Sequence, residues 1–212
     1  MDKNVKTNIY VDGFNLYYCA VKGTPYKWLN IHKLSTSLLP RHTINSITYF
    51  TAHVSARPND PDQHTRQQLY LRALRTIPNL QIVLGHFLTS SVMMRLVSPP
   101  PGSSPYVNVI KTEEKGSDVN IATHLLKDGF MGEYDAAILI TNDSDLVEPI
   151  KVIRKDLGLV VGVLNPNPRH PSVELGKHAS FQKPIRQGAL ASSQFDDTLA
   201  DANGTFNKPS SW

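Results

Sequence analysis

Ile9-Tyr10-Val11-Asp12-Gly13 and Ala136-Ala137-Ile138-Leu139-Ile140-Thr141-Asn142-Asp143-Ser144-Asp145 are the two stretches that decide the fold. Each is a short apolar run that stops at an aspartate. Such a run, buried on both faces, is the mark of a strand in a parallel sheet. In an open α/β sheet, ligands bind beyond the carboxyl ends of the strands, so acids carried there converge although they are far apart in sequence. Asp12 leaves the first run, Asp143 and Asp145 leave the second, and Asp118 opens a helical segment between them. Convergence of these four carboxylates at one sheet edge is the central expectation.

Working outward, Thr7 to Val11 reads as a first strand and Ser46 to Ala52 as a second, with Ile31, Leu34, Leu38 and Leu39 near helical spacing between them and Pro40 closing that helix. Gln63 to Arg75 is a second helix, stopped by Pro78-Asn79, and Leu80 to Leu84 a third strand. Two β-prone segments, Met93 to Val97 and Tyr106 to Ile110, flank the proline-rich turn 98–105 and predict a β excursion near 91–110, a flap over the site. A helix follows from Asp118 to Lys127, ended by Asp128-Gly129. Then come a strand at Ala136 to Ile140, a helix over roughly 147–156 and a strand at Leu159 to Leu164. Alternation of this kind means α/β: a central, mostly parallel sheet with helices on both faces. Residues 1–165 are expected to form the catalytic domain. Residues 166–212, rich in Pro, Ser, Gly and Asn, are expected to be an extension packed on it or partly disordered.

The chain has 212 residues, enough for one α/β domain with a real core, and its single Cys19 excludes an internal disulfide or a thiolate metal cluster. Met1 to Lys6 carries no apolar leader, and no run approaches about 18 apolar residues, so the expected setting is cytoplasmic with no membrane partner. Charge is uneven. Residues 1–110 hold 11 Lys or Arg against 4 Asp or Glu, a balance of +7, whereas residues 111–212 hold 11 against 14, a balance of −3. A basic half beside an acidic half suits a polyanion held at a metal centre. Arg57, Arg66, Arg72, Arg75 and Arg95 are candidate phosphate contacts, as is Lys115, just before Asp118. Phosphate loops of the Gly-x-x-x-x-Gly-Lys type, the Gly-x-Gly-x-x-Gly fingerprint, His-Glu-x-x-His and Gly-x-Ser-x-Gly are all missing, which removes nucleotide-driven work, dinucleotide cofactors, zinc hydrolysis and a serine triad from consideration.

Hydrolysis of a phosphodiester requires a placed nucleophile and stabilisation of charge building on the phosphate oxygens, and divalent metals supply both. Mg²⁺ or Mn²⁺ needs hard oxygen ligands, often only one or two carboxylates, with water and phosphate completing the shell. Asp12, Asp118, Asp143 and Asp145 have that chemistry. Structural alternatives stand beside it: Asp12 before Gly13 can simply shape a turn, Asp118 can be a helix-start acid, and Asp145 with Glu148 has capping-box spacing.

Three motifs, Tyr10-Val11-Asp12-Gly13-Phe14-Asn15-Leu16, Lys115-Gly116-Ser117-Asp118-Val119 and Thr141-Asn142-Asp143-Ser144-Asp145-Leu146, resemble those of NYN-domain proteins, relatives of the PIN-like nucleases. The resemblance covers roughly 7–165. It implies a Rossmann-like PIN fold and metal-dependent cleavage of RNA, with Asp12, Asp118, Asp143 and Asp145 as ligands and Asn15 and Ser144 at supporting positions. Asn142 stands where many relatives carry Gly. Single-stranded or looped RNA is the expected substrate. An inactive nucleic-acid-binding or regulatory scaffold and a small-molecule phosphatase-like hydrolase remain the alternatives.

Overall fold

Alternating side chains on β1 (Val5–Asp12) face two different cores: Ile9 and Val11 pack on one side of the sheet and Tyr10 on the other, all at 0–1% exposure. A strand buried on both faces needs a cover on both, and the helices supply it. The computed structural model describes residues 5–212. Residues 1–4, part of the polar lead-in read from sequence, lie outside the described residues.

From β1 the chain turns through α1 (Gly13–Leu16), which runs on as a π-helical segment over Tyr17–Val21, and then forms α2 (Ile31–Leu38), β2 (His42–Thr51), α3 (Gln63–Leu74) and β3 (Leu80–Leu84). Next come β4 (His86–Arg95), β5 (Tyr106–Lys115), α4 (Ser117–Phe130), β6 (Ala136–Ile140), a single 3₁₀ turn at Ser144–Leu146, α5 (Val147–Asp156) and β7 (Val160–Asn165). The six strands of the main sheet lie in the order β3-β2-β1-β6-β7-β8, all parallel, with β8 at Phe181–Pro184. The strand order reverses between β1 and β6, where Val11 lies opposite Ile140. That reversal opens the crevice in which doubly wound sheets bind ligands.

Several elements depart from the boundaries read from sequence, among them β2, which begins at His42 rather than Ser46. The β excursion starts earlier and ends later than 91–110: β4 and β5 pair over ten residues each as an antiparallel arm, from His86↔Lys115 to Arg95↔Tyr106. Its polar stretch escaped a search for buried strands because it is held by cross-strand hydrogen bonds, Thr89 to Thr112 at 3.1 Å and Ser91 Oγ to Asn108 Oδ1 at 2.6 Å. Asp128-Gly129 does not stop α4. Asp128 accepts a 2.8 Å bond from the Tyr10 hydroxyl, and a Cβ on Gly129 would come within 2.6 Å of Ile153 Cδ1, so glycine is there to let α4 press on α5.

The sheet also continues beyond residue 165. After β7 come α6 (Val173–His178), the sixth strand β8, α7 (Gln187–Ser192) and a hairpin of β9 (Thr198–Asp201) and β10 (Gly204–Asn207). Leu175, Ile185, Leu190, Phe195 and Phe206 from this region are all buried in the two cores. Trp28, fully buried, shares one core with Ile185, Leu190, Phe195 and Phe206 and anchors the last of these. Its ring touches Phe195, Phe206 and Trp212 with centroids 5.8–6.4 Å apart, and its indole N–H donates to the Asp196 carbonyl at 2.9 Å. Arg72 is committed here too, forked onto Asp201 at 2.7 and 2.8 Å and stacked over Phe206, which removes it from the phosphate-binding candidates. Trp28→Ala should cost about 3–5 kcal/mol of unfolding free energy in a denaturant titration, the range for deleting a large core aromatic. It should also expose the segment after residue 190 to limited proteolysis. A loss below about 1 kcal/mol would contradict that anchoring role.

Candidate metal centre and the aromatic chamber beside it

Asp12 is the last residue of β1 and the N-cap of α1. The Asn15 backbone N–H donates to one carboxylate oxygen at 2.9 Å, and the Thr141 hydroxyl donates to the other at 3.1 Å. Gly13 is obligatory beside it, because a Cβ there would meet the Phe50 carbonyl at 2.6 Å and the Tyr49 ring at 2.7 Å. On the far side of the crevice, the chain leaving β6 is wired to the same residues. Asp143 N–H donates to Thr141 Oγ1 at 3.0 Å, Asn142 N–H to Asn15 Oδ1 at 3.0 Å, and Asp145 N–H to Asp143 Oδ1 at 3.0 Å. Asp118 arrives in the first turn of α4, whose N-cap is Gly116 at a φ of 100° that only glycine takes without strain.

Three of the four expected acids come together. Asp12, Asp118 and Asp143 each offer an oxygen, and these atoms all lie within 4.8 Å of one another. An octahedral ion with bonds of about 2.1 Å spans at most about 4.2 Å between ligand oxygens, so small rotations or one bridging water close this set on a cation. The triad can coordinate a divalent metal ion. Electrostatics point the same way. Burial pushes the Asp12 carboxyl up from 3.8 to about 6 against two hydrogen bonds that lower it, with Asp118 and Asp143 adding repulsion. Asp118 is raised as well, first by burial and then by Asp143, Glu114 and Asp145. Carboxylates crowded in this way are costly when ionised unless a cation offsets them.

Asp145 stands outside the triad. It is exposed at the 3₁₀ turn, and the Glu148 side chain pairs with Lys151 at 3.1 Å rather than closing a capping box. Asn15 supports both sides of the crevice. Asn142 turns the other way, its side chain accepting from Asn165 Nδ2 at 2.6 Å and Ser172 N at 2.7 Å to pin the loop after β7, while Ser144 is exposed. Among the basic candidates, Arg57 and Arg66 line a chamber that begins at the acids. Arg66 is forked onto Asp60 with both bonds at 2.6 Å. Lys115 pairs with Glu113 at 3.5 Å, and Arg95 lies at the tip of the β4–β5 arm; neither lines the chamber.

The chamber has a volume of about 680 Å³. Its floor is Asp12 and Asp143, and its walls are Phe14 and Tyr17 from the turn after β1, Tyr49 from β2, Tyr70 from α3 and Phe87 from β4. Ser211 and Trp212 complete its lining. These aromatics, together with Thr141 and Glu114, are what sequence reasoning missed. Phe14, two residues past Asp12, and Thr141, two residues before Asp143, lie inside the acid-bearing motifs but are not acids, so the motifs alone assign them no role.

Residues 6–182 match the NYN domain. The chain belongs to the NYN domain family. This places it in the PIN-like nuclease superfamily, a group associated with nucleic acids, and the sheet order agrees with a Rossmann-like PIN fold. The NYN fold with its clustered acids, Asp12, Asp118 and Asp143, is consistent with a metal-dependent nuclease active site and supports hydrolase activity. A curated relative, 6-hydroxy-3-succinoylpyridine 3-monooxygenase HspA of Pseudomonas putida, is 30% identical over 98% of this chain and 75% of its own length. A crystal structure of a protein of unknown function from Vibrio parahaemolyticus shares the fold, with a TM-score of 0.56 at 19% identity over 88% of this chain and 96% of that one. Among the described residues no helix is long and apolar enough to cross a membrane.

The raised Asp12 pKa carries a stability consequence. A carboxyl that holds its proton more tightly when folded stabilises the protein below its unfolded pKa, and that contribution is lost as pH rises through the folded value. The window is from 3.8 to about 6, and the loss without metal is roughly 3 kcal/mol. Asp201, held down to about 2 by Arg72, titrates below it. Metal-free protein should therefore melt several degrees lower at pH 7.5 than at pH 5, Asp12→Asn should remove most of that difference, and Mn²⁺ should restore stability at pH 7.5 only in the parent. A melting temperature indifferent to pH and to Mn²⁺ would contradict the assignment.

Proposed function

We propose that this chain is a metal-dependent ribonuclease that hydrolyses phosphodiester bonds in single-stranded or looped RNA. The observation that carries the reading is the acid triad at the β1–β6 crevice of an NYN fold. Asp12, Asp118 and Asp143 would hold Mg²⁺ or Mn²⁺, with Asp145 acting at longer range through water. A bound ion would supply a water of lowered pKa and stabilise charge on a phosphoryl oxygen. Thr141 and Asn15 keep the Asp12 carboxylate in one orientation, so the site is set before substrate arrives. Arg57, at the chamber wall, holds a phosphate of the incoming strand, with Lys115 and Arg95 as further contacts along its path, while Arg66 stays paired with Asp60. A flexible strand reaches a recessed floor at lower cost than a stiff duplex, which favours unpaired RNA.

A second reading rests on two observations, the aromatic chamber and the relative named as a monooxygenase of 6-hydroxy-3-succinoylpyridine. Under it the chain would act on a small aromatic acid, in a reaction needing dioxygen and a reductant.

Labelled single-stranded RNA, incubated with pure protein and Mg²⁺ or Mn²⁺, should be cleaved and protected by chelator. Thr141→Val, which keeps every carboxylate, should slow cleavage by about 10–100-fold, the usual effect of losing a partner of a metal ligand, and Asp143→Asn should slow it further. Cleavage that survives Asp143→Asn would sink the ribonuclease reading. RNA binding without cleavage would favour a binding module, and reductant-dependent oxygen uptake with a pyridine acid would favour the second reading.

A further inference from the structure

The chamber contains more than a nuclease metal site requires. Tyr49 is 6% exposed and lines the chamber, and its hydroxyl makes no hydrogen bond among the described residues. A hydroxyl at a cavity wall without a protein partner is a donor and acceptor open to whatever enters. Lys27 and Arg57 line the same space, and neither side chain forms an ion pair among the described residues; Lys27 is half-buried. Cations on a chamber wall that carry no internal counter-ion are free to pair with an anion that enters. Between these polar groups the surfaces are rings. Phe14 meets Phe87 edge to face at 5.6 Å, and Tyr70 meets both Tyr49, at 6.2 Å, and Trp212, at 6.0 Å. A volume near 680 Å³ suits one ring compound and excludes a helical duplex.

We propose that this chamber binds one planar aromatic ring carrying an anionic substituent, the ring held among Phe14, Tyr17 and Phe87, a polar atom of it bonded to the Tyr49 hydroxyl, and the anion drawn to Lys27 and Arg57. The chemistry has two sources, a nucleotide with its base unpaired and a free aromatic acid. The assignment stands whichever reading of the acids holds, since it concerns binding and not turnover.

Intrinsic fluorescence reads the event directly, because the chain has two tryptophans and Trp212 lines the chamber. Adenosine 5′-monophosphate, pyridine-3-carboxylate and ribose 5-phosphate are titrated into the full chain, with calorimetry as a second readout. At least one of the two ring compounds should bind saturably, and ribose 5-phosphate should not. Preference for the nucleotide identifies a base-binding subsite; preference for the pyridine acid identifies a small-molecule site. Phe87→Ala should weaken the bound ring compound about tenfold or more. Tyr49→Phe, which removes one oxygen and leaves the wall intact, should weaken it several-fold without lowering the melting temperature, and Arg57→Ala should weaken it while flattening its salt dependence. Failure of both ring compounds to bind, binding of ribose 5-phosphate as tight as theirs, or unchanged affinity in both Tyr49→Phe and Arg57→Ala would overturn the proposal. RNA cleavage measured on the same preparations reports separately on the acids.

Discussion

Burial of the Asp12 carboxylate at the reversal of the sheet is the constraint on which the rest depends. A strand end packed between β2 and β6 has little water, so the carboxyl is pushed to about 6 even with two hydrogen bonds working to keep it charged. Those two bonds determine the surrounding architecture. One fixes the turn into α1 through Asn15, and the other draws the end of β6 against β1 through Thr141. Because Thr141 also accepts from Asp143 N–H and Asn15 from Asn142 N–H, the second acid-bearing loop has one conformation, registered on the first. Desolvation opposes ionisation and the hydrogen bonds oppose protonation. A divalent ion held by the triad would resolve the conflict in favour of the charged form.

Polarity is divided across the crevice. Acids reach the chamber from the strand ends and from the start of α4, Lys27, Arg57 and Arg66 reach it from other segments, and aromatic rings line the same space. Arg66 is already matched by Asp60, so the wall keeps one cation fixed and two available. An anionic group that also carries a ring satisfies both sides at once, whereas inorganic phosphate would leave the apolar surface wet. Residues that follow β8 contribute through Trp212, which ties the chamber to the core at Trp28. The region past residue 165 is thus coupled to the site by packing.

Much of the fold was legible because central parallel strands bury both faces and so read as unbroken apolar runs: Ala136–Ile140 is found at the limits read from sequence, and so is the edge strand Leu80–Leu84, bounded by Pro78-Asn79 and Gly85. The acids were legible for a related reason, since a carboxylate ending such a run has few structural uses. The β4–β5 arm was only half visible, as Thr and Ser pairs hold its base, and a strand that is exposed on both faces has no hydrophobic period to display. Residues 166–212 hid for another cause. Their elements are four to six residues long and each contributes one or two anchors, Leu175 or Phe206, to cores assembled elsewhere. The chamber was illegible because its walls come from five separated segments, and no local pattern says that Tyr49 and Trp212 share a cavity.

The central claim is that Asp12, Asp118 and Asp143 together form one cation site. Crystals of the full chain grown with Mn²⁺ and measured at the manganese absorption edge test it most directly. The account predicts an anomalous peak within coordination distance of the three carboxylates, absent in Asp12→Asn crystals grown under the same conditions. Saturating Mn²⁺ with no peak in the crevice, or a peak that persists there in Asp12→Asn, would contradict it.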